Sequence, residues 1–352
     1  MWAAGPGADR LGRRITAPGA CTCPPQAEVV HNGASVRTAV DRYPYAPVMF
    51  LRPKDLRRDT IYSRADLLRR GMHRRHLASD AMRRVFPGWW MRADVETSLE
   101  QLARVFQSAV RPGAVFSHET AAELVGFPLP RTLTHAFGAP IHCLGPEGAP
   151  RTSGGLVVVH QPMDEPAFVH EGLEISHPLI ALREIAPRLT HVELVVCLDA
   201  LAADRFGTER RMRRPEIENF VDTMRGRGTQ ALRRAVPELR ERSWSPMETK
   251  LRLLILERGY PEPGLNVQVV EPTTGRLFYI DLAYEKEKIA IEYDSEDHRK
   301  NQERWQEDLN KNDVLHEAGW KVVRASIADY HRPADLFARL DDALRRRRTS
   351  AG

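Results

Sequence analysis

Three carboxylates lie within two apolar, strand-like runs near the C-terminus of the chain. They are Asp281, Glu292 and Asp294, in the segment LFYIDLAYEKEKIAIEYD at residues 277–294. Because strand side chains alternate, Glu292 and Asp294 share a face and stand roughly 7 Å apart. Carboxylates on half-buried strands are costly unless they are paired or bind a cation, and their oxygens suit Mg²⁺ or Mn²⁺. The sequence therefore predicts a metal site formed by these three acids.

The same alternation predicts an apolar face on each strand, opposite the acids. In the second run the acids face away from Ile289, Ile291 and Tyr293. In the first run Asp281 lies with Tyr279 and Ala283, opposite Phe278, Ile280, Leu282 and Tyr284.

Further elements must surround these strands to position the acids. Helical patterns occur at residues 245–258 and 301–318, and strand patterns at residues 266–270 and 320–325. Gly319 separates the last helix from the last strand. The predicted order is helix, strand, strand, strand, helix, strand.

Four motifs in this order carry a resemblance to a known family: SPMETKLR, YIDLAY, IAIEYDSEDHR and ERWQEDLNKNDVLHEAGWKVVRA. With them, residues 245–344 resemble the PD-(D/E)XK restriction-endonuclease-like fold and, within it, the very-short-patch-repair (Vsr-like) branch. The resemblance implies a hydrolase that cleaves DNA phosphodiesters with a divalent cation. It assigns metal binding to Asp281 and Glu292, and catalytic-site positions to Glu248 and to His298, which follows the acidic strand. On the late helix, the matching polar pair is Asp308 and Lys311.

The sequence departs from the family pattern where the usual lysine is expected, because Asp294 stands there. A general base could come instead from a neighbouring element, as Lys286, Lys288 or Lys311. His298 is a further alternative, since imidazole titrates near neutral pH. The sequence leaves the base unassigned.

Each candidate also has a structural interpretation. Ser245, Pro246 and Glu248 form a favourable helix start, in which Glu248 serves the cap rather than a metal. His298 can be a solvated loop histidine, and Asp308 with Lys311 an ordinary helix-surface pair. For the acidic trio the alternative is a structural salt bridge to Lys or Arg.

Composition limits the class of protein. The 352 residues suggest two or three domains, and 42% hydrophobic content is sufficient for packed cores. No run approaches the roughly 20 apolar residues of a membrane span, so no membrane partner is expected. Cys21, Cys23, Cys143 and Cys197 make neither a disulfide framework nor a paired zinc motif, which fits a cytoplasmic protein. With 52 Lys plus Arg and a net charge of +5, a polyanionic partner such as DNA is expected.

The composition shifts divide the chain into five segments. Residues 1–48, rich in Ala, Gly, Pro and Arg, are expected to be a disordered extension without a signal peptide, with Met49 as an alternative translation start. A winged helix-turn-helix domain follows at residues 49–96, a mixed α/β region at 97–242, the nuclease-like domain at 243–346 and a tail at 347–352. The predicted fold class is multidomain α/β.

A basic segment at residues 61–92 carries eight arginines against only two acids, Asp66 and Asp80. Ser63 and Asp66 predict a helix start, Gly71 a turn, residues 72–85 a second helix and residues 86–92 a wing. The segment resembles the winged helix-turn-helix of AbiEi-type antitoxins, and the alternative is a solvated basic hairpin that packs on the next domain. The candidate DNA-binding residues are Arg69, Arg70, Arg74, Arg75, Arg83 and Arg84.

The middle region shows helix and strand patterns in alternation. Helices are predicted at residues 117–125, 178–186 and 192–203, and strands at 156–160 and 173–176. SHETAAELVG and ISHPLIALREIAP resemble the central part of antitoxin-like proteins that also carry a Vsr-like domain. Within the first motif, His118 and Glu119 are candidate polar site residues, with helix surface or packing as the simpler interpretation.

Two function classes follow from these patterns. The first is a DNA endonuclease that uses Mg²⁺ (or Mn²⁺) and grips duplex DNA with the winged helix. The second is an AbiEi-like antitoxin or transcriptional repressor, with a cognate toxin as partner and a degenerate nuclease fold as a DNA-binding or dimerisation platform. The missing lysine favours the second class, and the retained acids favour the first.

Overall fold

The protein is described by a computed structural model that covers residues 37–38, 50–145, 152–153, 155–161, 167–204, 212–294 and 302–350. For residues 37–38, 152–153 and 302–309 it describes the backbone. Within this part of the chain, fourteen strands form three sheets and twelve α-helices accompany them. The predicted α/β class is therefore confirmed.

The first sheet contains four short strands, with two short helices between the second and the third. The elements are β1 (Arg37–Thr38), β2 (Thr60–Ser63), α1 (Arg64–Arg69), α2 (Arg74–Leu77), β3 (Met82–Phe86) and β4 (Trp89–Arg92). The strand order is β1-β2-β4-β3, with a parallel β1–β2 pair and antiparallel pairs elsewhere. As predicted, α1 starts after Ser63, whose Oγ accepts a hydrogen bond from the Asp66 N–H at 3.0 Å.

The predicted second helix over residues 72–85 is wrong in its C-terminal half. Helix α2 ends at Leu77, and Met82–Phe86 form β3, which pairs antiparallel with β4 in a hairpin. Val85 and Phe86 are buried while Arg83 and Arg84 are exposed. Pairing with β4 and burial of these apolar residues outweigh the helix propensity of the arginines. The predicted wing residues lie in this hairpin.

The second sheet has six strands and six helices around it. The elements are α3 (Leu99–Val105), β5 (Val115–Phe116), α4 (His118–Leu124), β6 (Ile141–Leu144), β7 (Thr152–Ser153), β8 (Val157–His160), β9 (Phe168–His170), β10 (Leu173–Ile175), α5 (Pro178–Ile185), α6 (His191–Ala202), α7 (Arg214–Thr223) and α8 (Thr229–Ala235). The strand order is β7-β8-β6-β5-β10-β9. Pairs β6–β8 and β5–β10 are parallel, and the others are antiparallel. The five predicted segments of this region are confirmed as α4, β8, β10, α5 and α6.

Local sequence explains where these helices begin. Helix α5 starts with Pro178, which needs no N–H partner in the first turn. Helix α6 starts with a capping box, because the Thr190 side chain accepts from the Glu193 N–H and the Glu193 carboxylate accepts from the Thr190 N–H at 2.7 Å.

A single apolar core connects the first sheet with the second. Phe86 of β3 contacts Phe106 at a ring-centroid distance of 5.1 Å, and Phe106 contacts Phe116 of β5 at 5.6 Å. All three side chains are buried in the same cluster as Leu182 of α5 and Leu198 of α6. The basic hairpin therefore rests on the middle region through its apolar side chains.

The third sheet has four strands between helices. The elements are α9 (Pro246–Glu257), β11 (Gly264–Val270), β12 (Leu277–Tyr284), β13 (Ile289–Tyr293), α10 (Gln302–Glu317), β14 (Lys321–Ala325), α11 (Ile327–His331) and α12 (Ala334–Ser350). Strands β11, β12 and β13 are antiparallel neighbours, and β14 pairs parallel with β13 after the α10 crossover. The predicted order of helix, three strands, helix and strand is confirmed.

Each face of this sheet packs against a different set of helices. One cluster joins Leu251 of α9, Leu340 of α12, and Ile289, Ile291 and Tyr293 of β13. The other joins Ala290 of β13 with Val314 and Leu315 of α10. The predicted apolar face of β13 is therefore confirmed.

The predicted single apolar face of β12 is wrong. Phe278 and Ile280 lie in the α10 cluster, whereas Leu282 and Tyr284 lie in the cluster of α9 and α12. The change occurs at Asp281. On the adjacent strand, Asn266 has a left-handed φ of +45°, and the β11–β12 register pairs Leu265 with Leu282 and Val267 with Ile280. The register is the same on both sides of Asn266, so the change of face coincides with this left-handed residue and not with a shift of register. Simple alternation cannot predict it.

A buried ion pair connects the middle region to the third sheet. Asp199 of α6 contacts Arg252 of α9, with 3.3 Å between Oδ2 and Nη2, and both side chains are almost fully buried. Asp199 also accepts hydrogen bonds from the Arg240 N–H at 2.7 Å and the Thr249 hydroxyl at 2.8 Å. Burial raises the pKa of Asp199 to about 6 against the opposing effect of Arg252. These contacts fix α6 against α9.

None of the helices in the described part of the chain combines the length and the apolar character that crossing a membrane requires.

Candidate functional site

The acids of β12 and β13 meet near the C-terminal end of β13, beside the end of β14. The Asp281 carboxylate accepts a hydrogen bond from the Tyr293 N–H at 2.8 Å between Oδ2 and N, which holds it beside β13. A small cavity of about 100 Å³ opens here. It is lined by Asp281, Glu292, Tyr293, Asp294, Lys311, Asn312 and Arg324. The structure thus brings together the three predicted acids and one of the three candidate lysines.

Asp294 is held in place by β14. Its N–H donates to the Ala325 carbonyl at 2.8 Å, directly after the end of β13. Its carboxylate lies 3.8 Å from Nη1 of Arg324, a half-exposed side chain. Because parallel pairing places Arg324 beside Glu292, one cation lies next to both acids of β13.

Lys311 reaches the acids from helix α10. Its ammonium donates a hydrogen bond to Glu292 Oε2, and both side chains are largely buried. The other two lysine candidates lie on the turn between β12 and β13. Lys288 Nζ stands 5.0 Å from the centroid of the Trp320 ring, and Lys286 is exposed. Lys311 is therefore the lysine that the fold supplies to the acidic strand.

Glu292 is in an unfavourable position for a negative charge. Burial, together with the Asp281 charge, raises the pKa of Glu292 to about 8 against the opposing effect of Lys311. Its second oxygen, Oε1, is buried and has no hydrogen-bond partner among the described residues. A buried oxygen without a partner is costly, and a bound cation beside Asp281 would satisfy it.

Glu248 lies at the start of α9, behind the acids. Its carboxylate accepts from the Trp244 N–H at 2.8 Å and from Asn266 Nδ2 at 2.5 Å, and its own N–H donates to Ser245 Oγ at 3.2 Å. Burial and, to a smaller extent, the Asp281 charge raise the pKa of Glu248 to about 7 against the opposing effect of these hydrogen bonds. These contacts match the helix-start interpretation, and they also hold Asn266 on the strand next to Asp281.

Two other candidates are not described by the structure. His298 lies outside the described residues, and Asp308 lies in a part of α10 whose side chains are not described. Sequence reasoning missed Asn312 and Arg324 at the cavity. Arg324 lies in the last predicted strand, and it could have been found only by predicting that this strand pairs with β13 after the α10 crossover.

The six candidate DNA-binding arginines have different surroundings. Four of them contact other residues of the protein. Arg69 and Arg70 form ion pairs with Asp66 at 3.0 and 2.9 Å. Arg83 donates hydrogen bonds to the Val95 carbonyl and to the Thr97 hydroxyl, both at 3.0 Å, and the Arg84 guanidinium lies 6.0 Å from the centroid of the Trp90 ring. Arg74 and Arg75 of α2 are exposed. Neither guanidinium forms an ion pair with another residue in the described ranges. These two are therefore the freest for phosphate contacts.

Comparison with known proteins gives relatives without a described activity. No family model matches the chain. Two proteins of Mycobacterium tuberculosis, uncharacterized protein MT2308 of strain CDC 1551 / Oshkosh and uncharacterized protein Rv2248 of strain H37Rv, are each 31% identical to it over 231 residues, which cover 65% of this chain and 80% of the relative. Among solved structures, the crystal structure of the RV2827C protein from M. tuberculosis has a TM-score of 0.32 and 16% identity, and the match covers 62% of this chain and 85% of that one.

Proposed function

The chain belongs to the family of the mycobacterial proteins MT2308 and Rv2248, and we propose that it is a divalent-metal-dependent DNA endonuclease. The observation that carries the proposal is the convergence of Asp281, Glu292, Asp294 and Lys311 on one small cavity. The departure at Asp294 argued against activity, since the usual lysine is missing from β13. Lys311 supports the proposal because it brings an ammonium group from α10 to the Glu292 carboxylate.

The donor set suits Mg²⁺ or Mn²⁺. All three acids offer carboxylate oxygens, and Glu292 Oε1 is buried without a partner among the described residues. Asp281, Glu292 and Asp294 would hold the ion. The ion supplies Lewis-acid stabilisation of the charge that develops on a phosphodiester.

The residues around the acids supply binding and orientation. The Lys311 ammonium holds the Glu292 carboxylate and places a positive charge at the cavity, where it stabilises the negative phosphate. Arg324, half-exposed beside Asp294, adds a second cation on the β14 side. The hydrogen bond from the Tyr293 N–H fixes the orientation of Asp281, and this positioning reduces the reorganisation needed when substrate binds.

The topology also supports the proposal. The resemblance of residues 245–344 to the PD-(D/E)XK fold rests on the order helix, strand, strand, strand, helix, strand. The order from α9 to β14 agrees with this expectation.

Nicking of supercoiled plasmid tests the proposal. Purified protein should convert the plasmid to open circles with Mg²⁺ or Mn²⁺ and not with EDTA. We expect Lys311→Met to lower the nicking rate by about 100-fold, because removing one charged donor from a phosphate site typically costs this much. Lys288→Met is the matched control, since Lys288 stacks on Trp320 instead, and it should stay within about twofold of the wild type.

Plasmid that stays intact in every sample, while a gel shift shows metal-independent binding of DNA, would replace the nuclease with the repressor class. Equal rates for Lys311→Met and Lys288→Met, with nicking retained, would instead remove Lys311 from the site.

The arginines of α2 give a separate prediction for DNA binding. Phosphate contacts release counterions, so replacing Arg74 and Arg75 together by alanine should weaken duplex binding and reduce the slope of log K against log salt by about 2. Arg58→Ala is the control, because the Arg58 side chain is exposed but pairs with Asp94 at 3.1 Å. Fluorescence anisotropy at several salt concentrations measures both. An unchanged salt slope in the double variant would contradict a DNA-binding role for α2.

A further inference from the structure

Three histidines from separate elements of the middle region form one cluster. His118 begins α4, His142 lies in β6 and His160 ends β8. Parallel pairing places β6 beside β8, with Leu144 opposite His160. One ring nitrogen from each histidine lies within 4.8 Å of the others. His142 Nδ1 and His160 Nε2 are only 2.9 Å apart, and the rings of His118 and His160 stack at 3.5 Å between centroids.

Two buried carboxylates complete the cluster. Glu184 of α5 places Oε2 3.2 Å from His118 Nδ1 and accepts the His118 backbone N–H at 2.9 Å. Glu119 places Oε2 3.2 Å from His142 Nδ1, and its other oxygen pairs with Arg188. The Glu119 side chain is 3% exposed, and its Oε2 makes no hydrogen bond among the described residues. A buried acceptor of this kind, which faces the His142 ring while only the other oxygen of Glu119 is paired with Arg188, is costly unless a further donor or a cation satisfies it.

The backbone at His118 is strained. Its φ is +51°, in the left-handed region that residues with a Cβ rarely adopt. The Glu184 carboxylate stabilises this conformation through the backbone N–H and, at the same time, faces the ring. Backbone strain of this kind concentrates at functional sites, where it aims a side chain.

We propose that His118, His142 and His160 bind a divalent transition-metal ion, for which Zn²⁺ is the natural candidate. Imidazole nitrogens suit Zn²⁺, and Zn–N distances of about 2.0–2.1 Å place two ligands on one ion at most about 4 Å apart. The ligand atoms lie within 4.8 Å of one another, but the three rings are nearly parallel. Binding therefore requires side-chain movements on the order of 1 Å together with ring rotations that bring the in-plane lone pairs to one point. Glu119 Oε2 is positioned to be the fourth ligand, and the ion replaces its missing hydrogen bond.

Glu184 acts as a positioning residue. Because its carboxylate faces His118 Nδ1, it directs the other ring nitrogen, Nε2, towards the ion and fixes the tautomer, as carboxylates behind metal-bound histidines do. The His118 ring is 22% exposed, so the cluster is accessible from solvent. The cluster lies on the second sheet, whereas the proposed nuclease acids lie on the third, and neither inference depends on the other.

Titration with Co²⁺ tests the proposal, because Co²⁺ replaces Zn²⁺ and gives visible absorption that reports its ligands. We expect the full-length wild type, stripped with EDTA, to bind one equivalent of Co²⁺ with a visible band that added Zn²⁺ abolishes. His142→Asn and His160→Asn should lose the band, and Glu184→Gln should bind Co²⁺ about 10- to 100-fold more weakly.

His177→Asn is the matched control, since His177 is a half-buried histidine that stacks on Phe220 at 4.3 Å, outside the cluster. Asp281→Asn should also leave the band unchanged.

The absence of a Zn²⁺-displaceable band in the wild type would overturn the proposal. So would a band that survives both His142→Asn and His160→Asn. If these variants do not fold, zinc-edge X-ray absorption of the wild type decides: about three imidazole ligands support the site, and sulfur ligation or oxygen ligation alone excludes it.

Discussion

Replacing Asp281 by Asn should lower the Mg²⁺-dependent nicking rate by about 10³-fold. Asp281 is the acid shared by the whole cluster, since its charge raises the pKa of both Glu292 and Glu248. The substitution would remove one of the three carboxylates of the proposed cation site and with it several kcal/mol of charge stabilisation, at about 1.4 kcal/mol per factor of ten. Initial nicking rates at several Mg²⁺ concentrations measure the loss, and they separate weaker ion binding from a slower reaction.

The matched control for this change is Asp313→Asn. Asp313 is an exposed acid on α10, two residues from Lys311, and lies outside the cavity. This variant should stay within about twofold of the wild type. DNA binding by Asp281→Asn should persist in a gel shift, because the arginines of α2 are untouched. A nicking rate for Asp281→Asn equal to that of the control would make the acidic trio structural.

Replacing Gly228 by Ala should destabilise the fold by about 3 to 5 kcal/mol. Gly228 precedes α8 with φ of +93°, and a Cβ added there would lie 2.0 Å from the Arg183 carbonyl oxygen and 3.0 Å from its carbon. Both atoms are backbone, so α8 must move away from α5 to accept the methyl group. The added strain combines this displacement with the unfavourable φ. Urea denaturation followed by tryptophan fluorescence measures the change in the unfolding midpoint.

Gly226→Ala separates the two causes. Gly226 also has a left-handed φ, of +100°, but a Cβ there would meet nothing within 4 Å. Only the conformational cost applies, on the order of 1 kcal/mol. Similar losses of stability in the two variants would show that α8 can move away from α5 without a measurable loss of free energy. The close approach of Gly228 to α5 would then have no energetic importance.

Sequence patterns predicted the strands of the third sheet because each is an apolar run with clear ends, although the alternation holds along β13 and breaks within β12. Alternation along β13 placed Glu292 and Asp294 on one face and Ile289, Ile291 and Tyr293 on the other. The source of the lysine could not be predicted, because contact between Lys311 and Glu292 depends on how α10 packs across the sheet. The strand assignment of Met82–Phe86 was missed for a similar reason, since arginine-rich segments read as helices until a partner strand is known.

The histidine cluster shows where reasoning from a single segment ends. His118 and Glu119 were predicted as candidate polar site residues, with helix surface or packing as the simpler interpretation, and no pattern in the sequence indicated a partner for either of them. His142 and His160 stand eighteen positions apart, and they become neighbours through the parallel pairing of two strands whose connection had no predicted pattern. Long-range pairing of this kind leaves no local signal in spacing or periodicity.

The buried pair of Asp199 and Arg252 has a consequence for dissecting the chain. A fragment that begins at residue 243 would contain the fully buried Arg252 but lose its ion-pair partner Asp199. It would also lose the Glu238 carbonyl, which accepts a hydrogen bond from the Arg252 guanidinium at 2.8 Å. Glu262, whose Oε1 lies 3.2 Å from Arg252 Nη1, would remain as the second ion-pair partner. The loss of Asp199 and of the Glu238 carbonyl still leaves Nη2 of a buried guanidinium without the two acceptors that it has in the whole chain, which is destabilising. A fragment made to test the proposed nuclease must therefore retain α6, or replace Arg252 with an apolar side chain of similar volume, before a lack of activity in that fragment can be interpreted.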